Sequence, residues 1–169
     1  MVASPRQHSI GLPQSPPVRI VLQRVASSSV KVDGALIGSI DHGLLLLVGI
    51  EPSDTTEDIE AAADKVSNLR VFADSEGQMN LSLLDIGGSA LVVSQFTLLG
   101  DIRKGRRPSF TGAASPEMAA PMVADFADML RRAGIHTEMA VFGARMDVEL
   151  VNDGPVTLVV DVRDGRVSS

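Results

Sequence analysis

LVVSQFTLLG, residues 91–100, begins as a run of apolar side chains and turns polar within four residues. Residues 90–93 are aliphatic and follow a Gly-Gly turn, a pattern that predicts a buried central strand. Ser94, Gln95 and Thr97 then bring two hydroxyls and an amide to the end of that strand. Because buried polar groups without partners cost stability, these side chains either cap neighbouring backbone or line a functional site.

The remaining pattern predicts strands in runs, separated by two helices. The predicted strands are short apolar or alternating segments at residues 18–25, 28–32, 35–40, 44–50, 79–84, 135–142, 146–151 and 156–160. Asp33-Gly34 predicts a hairpin turn, Asp54 with Glu57 the start of the first helix, and Ser115-Pro116 the start of the second. We therefore expect one α+β domain with a mainly antiparallel, barrel-like sheet and two main helices.

The composition fits one domain with a hydrophobic interior. The chain has 169 residues, 44% of them hydrophobic, and no cysteine, which excludes disulfides, thiolate nucleophiles and Cys-ligated metals. The longest apolar run, residues 44–48, is far below the roughly 20 residues of a membrane span. No signal-peptide segment precedes it. We expect a cytoplasmic protein with a flexible tail at residues 1–17, a domain at 18–163 and a C-terminal tail at 164–169.

The charges argue against indiscriminate nucleic-acid binding, since the net charge is −6. A basic run nevertheless follows the polar strand end, formed by Arg103, Lys104, Arg106 and Arg107. The 3% aromatic content argues against an extended base-stacking platform. From composition alone, the basic run is either a solvated loop or a local binding patch.

Familiar catalytic and cofactor motifs are missing from the sequence. The three histidines, His8, His42 and His136, carry no local triad pattern. We find no paired metal ligands of the H-E-x-x-H type, no phosphate-binding G-x-x-x-x-G-K-[ST] and no dinucleotide fingerprint, so we expect no metal and no cofactor. Residues 152–155, Asn-Asp-Gly-Pro, are typical of a tight turn between strands.

Several motifs in collinear order resemble the D-aminoacyl-tRNA deacylase family. They are Ser94-Gln95-Phe96-Thr97-Leu98, Gly100-Asp101 with Lys104-Gly105 and Arg107-Pro108-Ser109-Phe110, and Leu150-Val151-Asn152-Asp153-Gly154-Pro155-Val156-Thr157, with the shorter Gln23-Arg24-Val25 and Met79-Asn80-Leu81-Ser82. The resemblance covers roughly residues 18–161. Residues 1–17 depart from the family pattern, which usually begins just before the first strand.

The resemblance implies a homodimer that hydrolyses the ester between a D-amino acid and the 3′-terminal adenosine of tRNA, and that also removes glycine from mischarged tRNA(Ala). It assigns catalysis to Thr97, Gln95 and Phe96, and substrate binding to Ser94, Gly154, Pro155, Met146 and Arg24. In this family a Gly-cisPro loop, here Gly154-Pro155, reaches into the partner's pocket. Its carbonyls accept hydrogen bonds from the α-ammonium and leave no space for an L side chain.

Two mechanisms follow from the resemblance. Thr97 acts as a nucleophile in the first, but no histidine or lysine stands beside it in the sequence to serve as its base. In the second, which we favour, the substrate's own 2′-OH assists the attack of water, and backbone N–H groups near Phe96 and Thr97 stabilise the oxyanion.

Other assignments have a structural alternative. Arg24 either pairs with a surface carboxylate or holds the Gly154-Pro155 loop, and Met146 either fills the core or shapes the pocket. The basic run either is solvated or steers the acceptor stem of tRNA. For the whole chain, the rivals are a dimeric tRNA-binding module without catalysis and a general serine or threonine esterase.

Overall fold

The computed structural model describes residues 17–168, so all but the last residue of the tail predicted over 1–17 lies outside the described part. Nine strands are described: β1 (Val18–Val32), β2 (Ala35–Ile40), β3 (Gly43–Gly49), β4 (Phe72–Ala73), β5 (Met79–Leu81), β6 (Ser89–Ser94), β7 (His136–Met139), β8 (Asp147–Arg163) and β9 (Arg166–Val167). The helices are α1 (Thr56–Asn68), α2 (Leu83–Ile86) and α3 (Pro116–Arg132), with a 3₁₀ helix at Phe96–Leu99.

The main sheet has the order β7-β6-β3-β1-β8-β9. Antiparallel pairing joins β1 to β2, β3 and β8, and β8 to β9, whereas β6 runs parallel to both of its neighbours. β1 pairs with β3 through its first half and with β2 through its second half. The sheet therefore curls, and the predicted α+β class with a mainly antiparallel, barrel-like sheet is confirmed.

Both faces of the sheet are covered near its centre. Leu44, Leu46 and Val48 of β3 belong to the larger core, which packs against α1 and α3. Leu45 belongs to a smaller core on the opposite face, with Leu91 of β6. Burial on both faces explains why β3 and β6 are apolar without alternation.

The ends of the helices follow their capping residues, with one difference from the prediction. Ser115 precedes α3 and Pro116 is its first residue, as predicted. The cap of α1 is Thr55, which exchanges hydrogen bonds with Asp58 in a capping box. The predicted cap, Asp54, instead accepts from the N–H of Val18 at 3.1 Å. Burial raises the pKa of Asp54 to about 7.

Several predicted segments differ from the structure. Residues 83–84, predicted to be extended, begin α2, because Ser82 and Asp85 form a second capping box. The separate strands predicted at 18–25 and 28–32 are parts of one strand, β1, and those predicted at 146–151 and 156–160 are parts of another, β8. Residues 166–167, within the predicted C-terminal tail, form β9 and pair with β8. Among residues 17–168, no helix has the length and apolar character needed to cross a membrane.

Candidate active site

The polar segment at the end of β6 is held to the sheet through its backbone. The N–H of Gln95 donates to the carbonyl of Val48 in β3 at 2.8 Å, and the 3₁₀ helix begins at the next residue. The Gln95 side-chain amide donates to the hydroxyl of Thr97. The side chains of Phe96 and Thr97 are exposed. The strand end therefore presents a hydroxyl, an amide and an aromatic ring at the surface.

A cavity of about 380 Å³ opens beside this segment. Ser94 and Phe96 line it on one side, and Met146, the last residue before β8, lines it on another. Phe110 also lines it and packs edge-on against Phe96, with 5.1 Å between the ring centroids. The cavity has the size of small-molecule sites, which are mostly apolar with a few polar groups.

A short hairpin carrying the basic run follows the 3₁₀ helix. Asp101 pairs with Ser109 through two backbone hydrogen bonds, and Gly100 lies against the ring of Phe110, 2.9 Å from where a Cβ would stand. The Arg103 guanidinium donates to both carboxylate oxygens of Asp101, at 2.9 and 2.7 Å. These hydrogen bonds hold the pKa of Asp101 well below its ordinary range. The basic side chains on this hairpin are exposed.

The Gly154-Pro155 loop is an excursion within β8. In the pairing with β1, Val25 faces Asn152 and Gln23 faces Thr157, so residues 153–156 bulge out opposite a single residue. The bond before Pro155 is cis. The Asn152 side chain spans the excursion, accepting from the Val156 N–H at 2.8 Å and donating to its carbonyl at 3.1 Å.

Arg24 is the residue opposite the excursion and binds it directly. Its Nε donates to the Asp153 carbonyl at 2.9 Å, and its Nη1 donates to the Val71 carbonyl at 2.6 Å. The Arg24 side chain is 12% exposed. The Asp153 carboxylate also lies 3.6 Å from Nε2 of His42, whose ring packs edge-on against Phe72. The loop is therefore tied to β1 and to the segment before β4.

Within one chain, the loop and Ser94 of the cavity lie level with opposite ends of β3 and β6. Asn152 neighbours Val25, which pairs with Gly43 at the start of β3, and Gly43 pairs with Ser89. Ser94 is five residues farther along β6. At a rise of about 3.3 Å per residue, Ser94 is therefore about 17 Å along the strand from the level of the Gly154-Pro155 loop.

The structure thus divides the predicted site residues into two groups. Ser94, Phe96 and Met146 line the cavity, and Gln95 and Thr97 stand beside it, whereas Arg24, Gly154 and Pro155 form the distant loop. The small and aromatic residues that line the cavity, among them Phe110, Phe142 and Ala113, could not be assigned to a site from residue type alone. Such residues are equally typical of a hydrophobic core. Among residues 17–168, no three side chains of the metal-binding types converge.

Comparison with known proteins identifies the family. The family model described as D-Tyr-tRNA(Tyr) deacylase matches residues 21–161. The chain belongs to this family. A relative from Chloroflexus aurantiacus named D-aminoacyl-tRNA deacylase is 57% identical over 150 residues, covering 89% of this chain and 94% of the relative. A relative of the same name from Geobacillus sp. is 54% identical over 147 residues, covering 87% and 97%.

Solved structures agree with this membership. The c-Myc DNA Unwinding Element Binding Protein superposes with a TM-score of 0.79 at 37% identity, covering 85% of this chain and 97% of that one. A probable eukaryotic D-amino acid tRNA deacylase superposes with a TM-score of 0.74 at 18% identity, covering 85% and 98%, which shows a shared fold. The family expected from the sequence is confirmed, and its named enzymes are hydrolases that act on aminoacyl-tRNA.

Proposed function

We propose that this chain hydrolyses the ester linking a D-amino acid to the 3′-terminal adenosine of tRNA, and removes glycine from mischarged tRNA(Ala). The observation that carries the proposal is the cavity of about 380 Å³ beside the Gln95–Thr97 pair, in a chain of this family. The cavity is large enough for the aminoacylated end of the RNA. Because aminoacyl-tRNA is used in the cytoplasm, we place the activity there.

The chemistry we propose is assisted by the substrate. Water attacks the ester carbonyl carbon while the 2′-OH accepts a proton from it and relays the proton to the 3′-oxygen. The bond between the carbonyl carbon and the 3′-oxygen breaks, and the 3′-oxygen leaves as a hydroxyl. Backbone N–H groups of Phe96 and Thr97 begin the 3₁₀ helix, where they have no intrahelical acceptor, and they stabilise the oxyanion. The side chain beside the Thr97 hydroxyl is the Gln95 amide, which is no base. This favours the assisted mechanism over a Thr97 nucleophile.

We propose that chirality is read by the Gly154-Pro155 loop of a second copy of the chain. The loop lies about 17 Å along the strand from Ser94 in its own chain, too far to reach its own cavity. A partner surface is available on β2 and β8, where apolar side chains are exposed: Leu36, Leu150, Val151, Leu158 and Val159. In a two-fold dimer each loop would complete the other chain's cavity.

The first test compares hydrolysis of D-Tyr-tRNA and L-Tyr-tRNA by the native chain and by the Gly154→Ala/Pro155→Ala variant. We expect the native chain to cleave the D substrate alone and the variant to lose that cleavage or its discrimination. Cleavage of both substrates by the native chain would indicate a general esterase. Cleavage of neither, with tRNA still bound, would indicate a non-catalytic tRNA-binding protein.

A second test asks whether the loop acts across the dimer. Ala113→Trp fills the cavity of one variant, and Gly154→Ala alters the loop of another. Each variant alone is expected to be inactive. After the two are denatured together and refolded in equal amounts, half of the dimers are mixed and hold one intact site of two, which restores about a quarter of the native activity. No restoration, with mixed dimers detected by mass, would show that the loop serves its own chain.

A further inference from the structure

A second cavity, of about 710 Å³, lies beside residues 98–100, which follow the proposed catalytic residues 95–97. Leu98, Leu99 and Gly100, which directly follow Thr97, form one of its walls. The opposite wall comes from the paired ends of β1 and β8, with Arg19 and Arg163. The two cavities thus share the segment 96–100 as a wall, with Phe96 lining the first and residues 98–100 lining the second.

The second cavity is lined by three arginines, two of which are already paired. Arg19 donates to both oxygens of Asp161 at 2.8 and 2.7 Å. Arg103 binds both oxygens of Asp101 in the same way. Both acidic side chains in the lining are therefore neutralised, and the basic hairpin at the rim adds further positive charge.

The third arginine, Arg163, is not held by a hydrogen-bonded carboxylate as the other two are. Arg163 Nη2 is buried, has no hydrogen-bond partner among the described residues and lies 3.9 Å from Oε1 of Glu51 in an ion pair, whereas the Arg163 side chain as a whole is 26% exposed. Because the Arg163 side chain lines the cavity and is partly exposed, an anionic ligand there can reach its guanidinium. A guanidinium fits a phosphate through two parallel hydrogen bonds.

We propose that the second cavity binds the sugar-phosphate backbone of the nucleotides that precede the terminal adenosine of tRNA. This inference rests on the proposed function, because it places the adenosine in the first cavity. The RNA strand passes over residues 96–100 from the second cavity to the first, and Arg163 and Arg103 bind its phosphates. Arg19 positions the wall through Asp161.

The test uses substrates of increasing length: D-Tyr-adenosine, which has no phosphate, and D-Tyr-CCA, which has two. The variants are Arg163→Gln, Arg163→Lys and Arg103→Gln, with Arg132→Gln as the control at the far end of α3. The measured quantity is the ratio of kcat/KM for D-Tyr-CCA to that for D-Tyr-adenosine. We expect Arg163→Gln to lower this ratio about tenfold, Arg163→Lys to lower it less, and Arg132→Gln to leave it unchanged.

A ratio unchanged in Arg163→Gln and Arg103→Gln would overturn the inference, even if both rates fall together through a loss of stability. A native chain that cleaves neither D substrate would instead refute the proposed function. Binding of an uncharged CCA-ended RNA separates the two failures, since it needs no catalysis. The slope of log affinity against log salt should decrease by about 0.7 for each phosphate that a variant no longer binds, and an unchanged slope would also overturn the inference.

Discussion

Arg24 holds the Gly154-Pro155 loop through carbonyls of two segments far apart in sequence, whereas the Gln95 and Thr97 side chains hydrogen-bond to each other at the surface. The loop is therefore shaped by the folded domain, and ordering it is part of folding. The strand-end side chains are free to adjust when a substrate arrives. We infer that changes at the loop lower stability and activity together, while changes at the strand end lower activity alone.

The largest effect is expected for Gly154→Ala. Gly154 has a φ of +140°, and a Cβ there would lie 2.9 Å from Cγ2 of Val156 and 3.0 Å from Nη2 of Arg24. Such a backbone costs a non-glycine residue about 1–3 kcal/mol, and a small displacement of a positioning group can reduce a rate about 100-fold. The free energy of unfolding in denaturant and the rate on D-Tyr-tRNA should both fall.

Gly34→Ala is the matched control, because Gly34 also has positive φ, +81°, but nothing lies within 4 Å of its Cβ position. It should lower stability without changing the rate. Equal losses of activity in the two variants would contradict the role given to the loop.

Arg24→Ala should have the next largest effect. It leaves two carbonyls without their donor, and hydrogen bonds to charged groups contribute about 1.5–3 kcal/mol each. We expect a lower unfolding free energy and a reduced preference for D-Tyr-tRNA over L-Tyr-tRNA. Arg131→Ala is the control, since Arg131 also donates to a backbone carbonyl, that of Thr137, at 2.9 Å. An equal loss of selectivity in both variants would show that removing any carbonyl-bound arginine has this effect. It would contradict a specific role of Arg24 in holding the loop.

Thr97→Ala should have the smallest effect on the rate and none on folding. If the substrate's 2′-OH assists the reaction, removing one hydroxyl group costs about tenfold. Loss of a true nucleophile would cost more than about 10⁴-fold. The exposed side chain predicts an unfolding free energy within about 0.5 kcal/mol of native. Single-turnover hydrolysis distinguishes the two rates, and complete loss of the chemical step with intact tRNA binding would establish Thr97 as the nucleophile.

The sequence predicted the elements whose patterns are local. The Asp33-Gly34 hairpin and the start of α3 at Pro116 depend on residues within a few positions, and the structure contains both. The cap of α1 depends on a distant contact, since Val18 engages Asp54 and leaves the cap to Thr55. β8 continues through residues 152–157 because β1 stays paired with it on both sides of the excursion, and no local pattern in the sequence encodes that pairing.

The site residues could likewise be predicted from the sequence only where their pattern is local. Ser94, Gln95 and Thr97 stand out in the sequence because polar groups end an apolar strand. The loop residues Gly154 and Pro155 are typical of any turn, and only the family resemblance gave them a role. Arg163 carried no pattern at all, since a charged residue near the end of a strand is ordinary. Its place in the lining of the second cavity becomes visible only in three dimensions.

The continuous pairing of β1 with β8 also limits how the length of this chain can change. Arg24 faces the loop in the middle of the ladder, and Arg19 meets Asp161 toward one of its ends. A residue inserted or deleted between Thr157 and Asp161 would turn every later side chain to the opposite face, separating the Arg19–Asp161 pair and rebuilding the wall beneath Arg163. Insertions are therefore tolerated more readily in the hairpin at residues 101–109 or at the chain ends. The number of residues between Thr157 and Asp161 is fixed by the pairing.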